Sequence, residues 1–288
     1  MKGRREQLMS VTRAIINLLE YRDTTLREYR YGNNRANNMG VALEQYIIDL
    51  FAGTNGEQNM TVRNRKIEET FSYIGNQNNP PDAMLWGAEA LEVKKLSSTT
   101  NEIALNSSYP KDALYADSSR IIAACREAED WDEKDILYAV GCTKGANITR
   151  LFFVYGDLYA ASRDTYRRVF DGVQRGIRGI PDFEFAESKE LGRVPDVDPL
   201  GITYMRIRGM WHIKTPWHVY QDIYSPDAAA DFNFACLIAD EKWDSQEDKD
   251  ALLELASQNE ELSIDDVEVR NPNNTARFIG CKLITIKR

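Results

Sequence analysis

The chain has 288 residues, 43% hydrophobic, 10% aromatic and 28% charged, a composition that supports a buried core and argues against wholesale disorder. No apolar run approaches the roughly 18 residues of a membrane span, and no apolar segment follows the basic start MKGRREQLMS, so a cytoplasmic protein without membrane contact is expected. Four cysteines without a CxxC pair and only two histidines exclude a disulfide scaffold and a zinc finger, while a net charge of −9 argues at first sight against a polyanionic partner.

Leu8, Val11, Ile15, Leu18 and Leu19 recur at helical spacing and predict an amphipathic first helix. After the polar stretch YGNNRANNMG, the residues Met39, Leu43, Tyr46, Ile47 and Leu50 predict a second helix, stopped at Gly53. Residues 54–66 read as polar loop, and so does IGNQNNPPD, where Pro80 and Pro81 should exclude regular pairing. From Ala83, the run AMLW, a turn at Gly87 and then EALEVKKL predict a short β-hairpin. A helix is expected over 117–129, followed by the β-rich runs ILYAVGC and ITRLFFVYGDLYAA around a Lys144-Gly145 turn. Another helix follows over 163–175, then strands in ITYMRIRGMWHI and FNFACLIA, an acidic helix over 246–258 and a closing strand ARFIGCKLITIK. This order predicts one α/β domain over 1–288 with a mixed central sheet flanked by helices and β-rich C-terminal additions. Its catalytic core would span about 30–180, with recognition and dimerisation elements over 181–288.

The charge is unevenly spread. Residues 240–268 carry a net −10, so the rest of the chain sums to +1. Residues 1–35 hold eight Lys or Arg against four acids, and 163–178 hold five Arg against two Asp. An acidic protein can still present a basic face to DNA, because local potential governs encounter; solvated helix faces would give the same pattern.

The chemistry concentrates in PPDAMLWGAEALEVKKL. Asp82 begins the first hairpin strand, and Glu92 and Lys94, two apart in the second, share one face. The hairpin can bring Asp82 beside Glu92, and two carboxylates suit Mg²⁺. Lys94 could then orient a water attacking phosphorus and help to deprotonate it. This is the logic of the PD-(D/E)xK nucleases, although surface charge on an edge strand would look the same. Two rivals share the spacing. Asp182 with Glu187 and Lys189 is too close for a hairpin, and Asp227 with Asp240 and Lys242 ends inside the acidic stretch. Motifs of other nuclease classes are incomplete: His212 and Lys214 begin HxKx4D but position 219 is Val, and Tyr73-Ile74-Gly75 has no GIY upstream.

The stretches NNRANNMGVALEQYIIDLFAG, SYIGNQNNPPDAMLWGAEALEVKKL, ALNSSYPKDALYADS and EDWDEKDILYAVG resemble the NgoPII-type family of type II restriction endonucleases, with the likeness running through LFFVYGDLYAA. The resemblance implies a Mg²⁺-dependent enzyme, with Mn²⁺ able to substitute, that cleaves both strands of double-stranded DNA at a short palindrome, expected to be GGCC. It implies Asp82 and Glu92 as metal ligands, Lys94 as the catalytic lysine and Glu44 of the second helix as a further acid of the site. A homodimer and a cognate DNA methyltransferase in the same host, not itself a physical partner, go with that reading. Ser107, Ser108 and Lys111 in ALNSSYPK suit phosphate, although a plain turn would also explain them. Arg35, Asn37 and Asn38 precede a helix N-terminus, where they could meet DNA or simply cap the helix. Arg206, Arg208 and Lys214 are candidates for reading guanine, the first two sharing a face. His212, His218, Trp211 and Trp217 read as packing. A structure-directed repair nuclease or resolvase on the same fold, or a DNA-binding protein with a decayed nuclease fold, remain the alternatives.

Overall fold

Pairing of the apolar runs dictates the architecture, seen in a computed structural model that describes residues 10–27, 35–76, 79–100, 102–105 and 108–288, the side chains of 35–37 excepted. Helix α1 (Val11–Tyr21) is capped by Ser10, whose hydroxyl accepts from the Arg13 N–H, and it buries Val11, Ile15, Leu18 and Leu19 as the spacing predicts. Leu8 lies outside the described residues. Helix α2 (Arg35–Ala52) ends before Gly53 and buries Leu43, Ile47 and Leu50 completely. Helix α3 (Met60–Thr70) replaces most of the loop expected over 54–66. Asn59 caps it by accepting from Thr61 and Val62, and Arg63 is buried against Asp49 of α2 at 2.7 Å. What α3 buries is an ion pair rather than an apolar stripe, so hydrophobic periodicity could not reveal it.

Strands β1 (Phe71–Asn76), β2 (Asn79–Leu85) and β3 (Ala90–Leu96) run antiparallel in succession. The predicted hairpin of β2 and β3 is present, but IGNQNNPPD belongs largely to β1 and β2 instead of a loop. Its prolines are tolerated because β2 meets β3 only at Ala83 and Met84, and because the β1 pairing shifts register between Ile74 and Asn76. Neither proline therefore has to donate to a ladder. The close approach here requires Gly75, where a Cβ would stand 2.1 Å from the Pro81 carbonyl oxygen.

Short strands β4 (Ile103–Ala104) and β5 (Ala113–Tyr115) precede α4 (Ala123–Arg126). The helix expected over 117–129 is thus a single turn. Ser118 accepts from the Arg120 N–H and Arg126 reaches the Ala116 and Ser118 carbonyls, local bonds that compete with a helix. Strands β6 (Glu133–Lys144) and β7 (Asn147–Tyr155) form the predicted pair around Gly145. Helices α5 (Gly156–Tyr159) and α6 (Arg163–Arg178) follow. The ribbon expected in ITYMRIRGMWHI breaks in two. Its first half, β9 (Met205–Ile207), pairs with β8 (Gly192–Val194), and its second, β10 (His212–Ile213), pairs with β4. The chain closes with α7 (Pro216–Val219), β11 (Asn233–Ala239), α8 (Asp240–Asp244), α9 (Lys249–Gln258), β12 (Leu262–Asn271) and β13 (Asn274–Lys287).

Among the described residues one mixed sheet has the order β1-β2-β3-β6-β7-β11-β13-β12, with β5 also on β6. The pairs β3–β6 and β7–β11 are parallel. Of the C-terminal strands, β11, β13 and β12 join the central sheet, β11 pairing directly with β7, whereas β8–β9 and β10–β4 form separate two-stranded sheets, the β-rich additions expected. Strand β12 went unpredicted because its LSIDDVEVRN alternation lies inside the acidic run. Phe152 packs against Trp217, Tyr220 and Tyr224, and Trp211 against Tyr109 and Tyr166, in keeping with their reading as packing residues.

Gly75→Ala should cost about 2–3 kcal/mol of unfolding free energy in urea, because backbone has to move to admit the new carbon. A change below about 0.5 kcal/mol would contradict the contact that pins β1 to Pro81.

Candidate active site

Ala83 and Met84 of β2 lie opposite Leu91 and Ala90 of β3, a register that brings Asp82 to the next rung. The Val93 N–H donates to Asp82 Oδ2 at 2.6 Å, tying the carboxylate to the neighbouring strand. The Lys94 ammonium lies 2.8 Å from Glu92 Oε1 and 4.0 Å from Asp82 Oδ2. The three residues singled out by spacing are therefore gathered on one face.

A fourth member comes from further along the chain. Lys111 Nζ lies 3.6 Å from Glu92 Oε2. The loop that carries it is fixed by Tyr138, whose buried hydroxyl accepts from the Lys111 N–H at 2.8 Å and donates to the Lys111 carbonyl at 3.2 Å. Tyr138 is the β6 partner of Glu92 in the sheet, so one rung sets both. The sequence suggested Lys111 as a phosphate donor, and no spacing connects it to Glu92; only the Tyr138 contacts do. Glu44 approaches from α2. That helix sits close on β6 at Gly141, where a Cβ would meet Leu43 Cδ2 at 2.8 Å, and the next residue, half-buried Glu44, feels the charges of Lys94 and Glu92.

Burial by itself would push Glu92 up, but Lys111 and Lys94 outweigh it and hold the carboxyl down at about 2. Asp82 moves the other way. Burial raises it to about 7, with Glu92 and Glu44 adding to the rise and Lys94 opposing it. Burial also raises Glu44. Lys94 is held above its ordinary value, since Glu92 and Asp82 overcome the effect of its burial. In this state Lys94 is a proton-bearing cation, suited to bind and orient anionic oxygen.

Among the described residues no group of three or more His, Cys, Asp or Glu gathers as a metal site. The pair Asp82 and Glu92 nonetheless suits a hard cation. Glu92 Oε2 is buried without a hydrogen-bond partner, and Mg²⁺ commonly takes only one or two carboxylates, completing its shell with water and substrate phosphate.

The other sequence candidates lie in several places. Arg35, Asn37 and Asn38 lie within helix α2 and do not precede it; the side chains of Arg35 and Asn37 fall outside the described residues. Ser107 falls outside them as well, while Ser108 sits half-buried in a turn, its N–H donating to the Leu105 carbonyl. Arg206 and Arg208 share one carboxylate: Glu190 accepts from Arg206 Nε at 2.8 Å and from Arg208 Nε at 2.6 Å. Lys214 is exposed next to β10. The rival set is not gathered at all. Asp227 bonds to Asn233 at the start of β11 and Asp240 follows its end, about 20 Å away for seven extended residues.

The chain matches the NgoPII restriction endonuclease family model over residues 9–270. It is 45% identical over 278 residues to the type II restriction enzyme NgoPII of Neisseria gonorrhoeae, covering 96% of this chain and 99% of that protein. No solved structure matches it.

Asp82 is held neutral up to about pH 7 in the folded state, against an ordinary value of 3.8. The stability this contributes is complete below 3.8 and is lost as pH rises through 7, so at pH 8 the folded protein carries the full cost of ionising Asp82. Asp82→Asn, melted without divalent metal, should gain about 2–5 °C in Tm at pH 8, and the gain should shrink toward pH 5. A gain independent of pH would refute the crowding of these carboxylates.

Proposed function

The chain belongs to the NgoPII restriction endonuclease family, and from that membership we propose that it hydrolyses phosphodiester bonds in both strands of double-stranded DNA at GGCC, using Mg²⁺ held by Asp82 and Glu92. The observation that carries the chemistry is the gathering of Asp82, Glu92 and Lys94 on one face, with Glu92 Oε2 buried beside Lys111 and free of any hydrogen bond. When bound, Mg²⁺ supplies positive charge against the phosphate and favours loss of a proton from the attacking water. Asp82 and Glu92 hold the cation. Lys94 directs an ammonium at a non-bridging phosphate oxygen, stabilising the charge that grows as water oxygen bonds to phosphorus and the opposite P–O bond breaks. The leaving oxygen takes up a proton. Glu44 adds a further carboxyl beside the reacting groups, and Lys111 adds a second ammonium on the side of Glu92 facing away from Lys94.

Reading GGCC calls for donors to guanine O6 and N7, and Arg206 and Arg208 have that chemistry. Glu190 engages both in the free protein, so they must exchange a carboxylate for a base edge. Lys214, Arg35, Asn37, Asn38, Ser107 and Ser108 remain proposed DNA contacts. A palindromic site pairs with a two-fold homodimer in which each subunit cuts one strand. The acidic 240–268 segment ends in β12, the edge strand five positions from β3, and in this proposal it faces away from the DNA. A cognate methyltransferase would protect the same sequence in the host.

Digestion of a sequenced plasmid should require Mg²⁺ or Mn²⁺, stop in EDTA and leave ends that map to GGCC. A smear, or cutting confined to branched junctions, would favour a structure-directed nuclease. Asp82→Ala, Glu92→Ala and Lys94→Ala should each lower cleavage by about 10³-fold or more while remaining folded by circular dichroism. Asp227→Ala and Asp240→Ala should cut within about threefold of the parent, since neither approaches the site. A folded, inactive Asp240→Ala beside an active Glu92→Ala would overturn the assignment.

Sedimentation should show a dimer at micromolar concentration. A monomer that cuts both strands in one binding event would contradict the symmetric arrangement.

A further inference from the structure

One cavity opens beside Lys111, and a second adjoins it. The first, of about 220 Å³, is lined by Ser108, Lys111, Arg120, Arg163, Arg167 and Lys189 among others. The second, of about 600 Å³, is lined by Arg120, Lys189, Arg193, Arg206 and Arg208 among others. They share Arg120 and Lys189, so together they form one trough. At one end is the ammonium that touches Glu92; at the other are the two arginines proposed to read bases.

In a chain of net charge −9, eight Lys or Arg line this trough against four acids. Two of those acids are already engaged, Asp117 by Arg163 and Glu190 by Arg206 and Arg208. Among the described residues no carboxylate pairs with Arg120, Arg167, Lys189 or Arg193. The waist is held in shape, since Lys189 Nζ donates to the Ser119 carbonyl at 3.2 Å and so ties the 187–190 segment to the 118–120 turn. Two guanidiniums sit over aromatic rings, Arg163 over Tyr115 with Cζ 4.1 Å from the centroid and Arg193 over Tyr204 at 4.6 Å. Arg163 spends an N–H on Asp117, whereas Arg193, with no carboxylate partner among the described residues, keeps its N–H groups available to an anion.

Cations strung along a trough, instead of converging on one point, suit an extended polyanion. Along one DNA strand the phosphates recur about every 3.4 Å of helix axis. The geometry points to this trough as the track for the sugar-phosphate backbone that continues from the cleaved bond, with Arg120, Arg167, Lys189 and Arg193 as phosphate contacts that read no base. The inference rests on the DNA-cleaving function proposed above and adds contacts of which only Arg167 lies in a basic run noted in the sequence.

The test measures binding of the full-length protein, by fluorescence anisotropy without divalent metal, to a GGCC duplex and to a scrambled duplex across a range of salt concentrations. Arg120→Ala, Arg167→Ala and Lys189→Ala should each make the log–log salt slope shallower by about one and weaken both duplexes equally, about tenfold. Lys189→Arg should restore the slope. Lys287→Ala, on β13 four strand spacings or about 19 Å from β3, should leave it unchanged. With Mg²⁺ the trough variants should cut at the parental positions. Parental slopes in all three variants, or loss confined to the GGCC duplex, would overturn the track. So would a shift in dimerisation at unchanged slope, which would assign the trough to the acidic segment of a second copy. The two readings fail separately. Reduced slopes in a protein that never cleaves would uphold the track and sink the nuclease, whereas parental slopes in a protein that cuts GGCC would do the reverse.

Discussion

Glu92 has to remain ionised on a strand that leaves it only 8% exposed, and two ammoniums make that possible. A carboxylate placed there alone would take up a proton; flanked by Lys94 and Lys111 it is held down at about 2. The two cations reach it by different routes. Lys94 needs nothing beyond the alternation of a strand, which puts residues two apart on the same side. Lys111 needs a loop, and the loop needs Tyr138 beneath it. Removing either partner of such a buried set leaves charge uncompensated, a cost of about 3–5 kcal/mol.

The same crowding separates the roles of the two acids. Glu92 is the permanently charged member, and Asp82, raised to about 7, is the one whose charge depends on what else enters the site. Two carboxylates with divided titration and a protonated lysine beside them form a site whose charge is set by the groups around it. Metal ligation requires deprotonated oxygens, so if Asp82 holds a divalent cation as proposed, binding would be coupled to proton release there.

Charge is also sorted across the whole sheet. The strands of the acidic C-terminal segment lie at the β12 edge, where Lys282 and Arg288 engage Asp266 and Glu261. Basic residues of α6 line the cavity beside Lys111, and those of the 187–208 region line the one that adjoins it. The net charge of −9 thus describes neither side of the molecule, and local potential is what a polyanion would meet.

The sequence by itself determined the elements whose signal is local. The α1 and α2 stripes, the β2–β3 hairpin, the β6–β7 pair and the shared face of Glu92 and Lys94 all follow from periods of 3.6 and 2. It misled wherever stability came from elsewhere in the chain. Helix α3 depends on the buried Arg63–Asp49 pair, β2 carries prolines because its ladder is incomplete, and β11 enters the central sheet by a parallel pairing with β7 that no local pattern encodes. Only the tertiary structure decided that Lys111 belongs to Glu92, that Asp227 and Asp240 stand at opposite ends of one strand, and that distant arginines line a single trough. The reason is physical: a repeating pattern specifies which side of an element is buried, whereas the meeting of charges far apart in sequence is set by sheet order and register, properties of the packed chain as a whole.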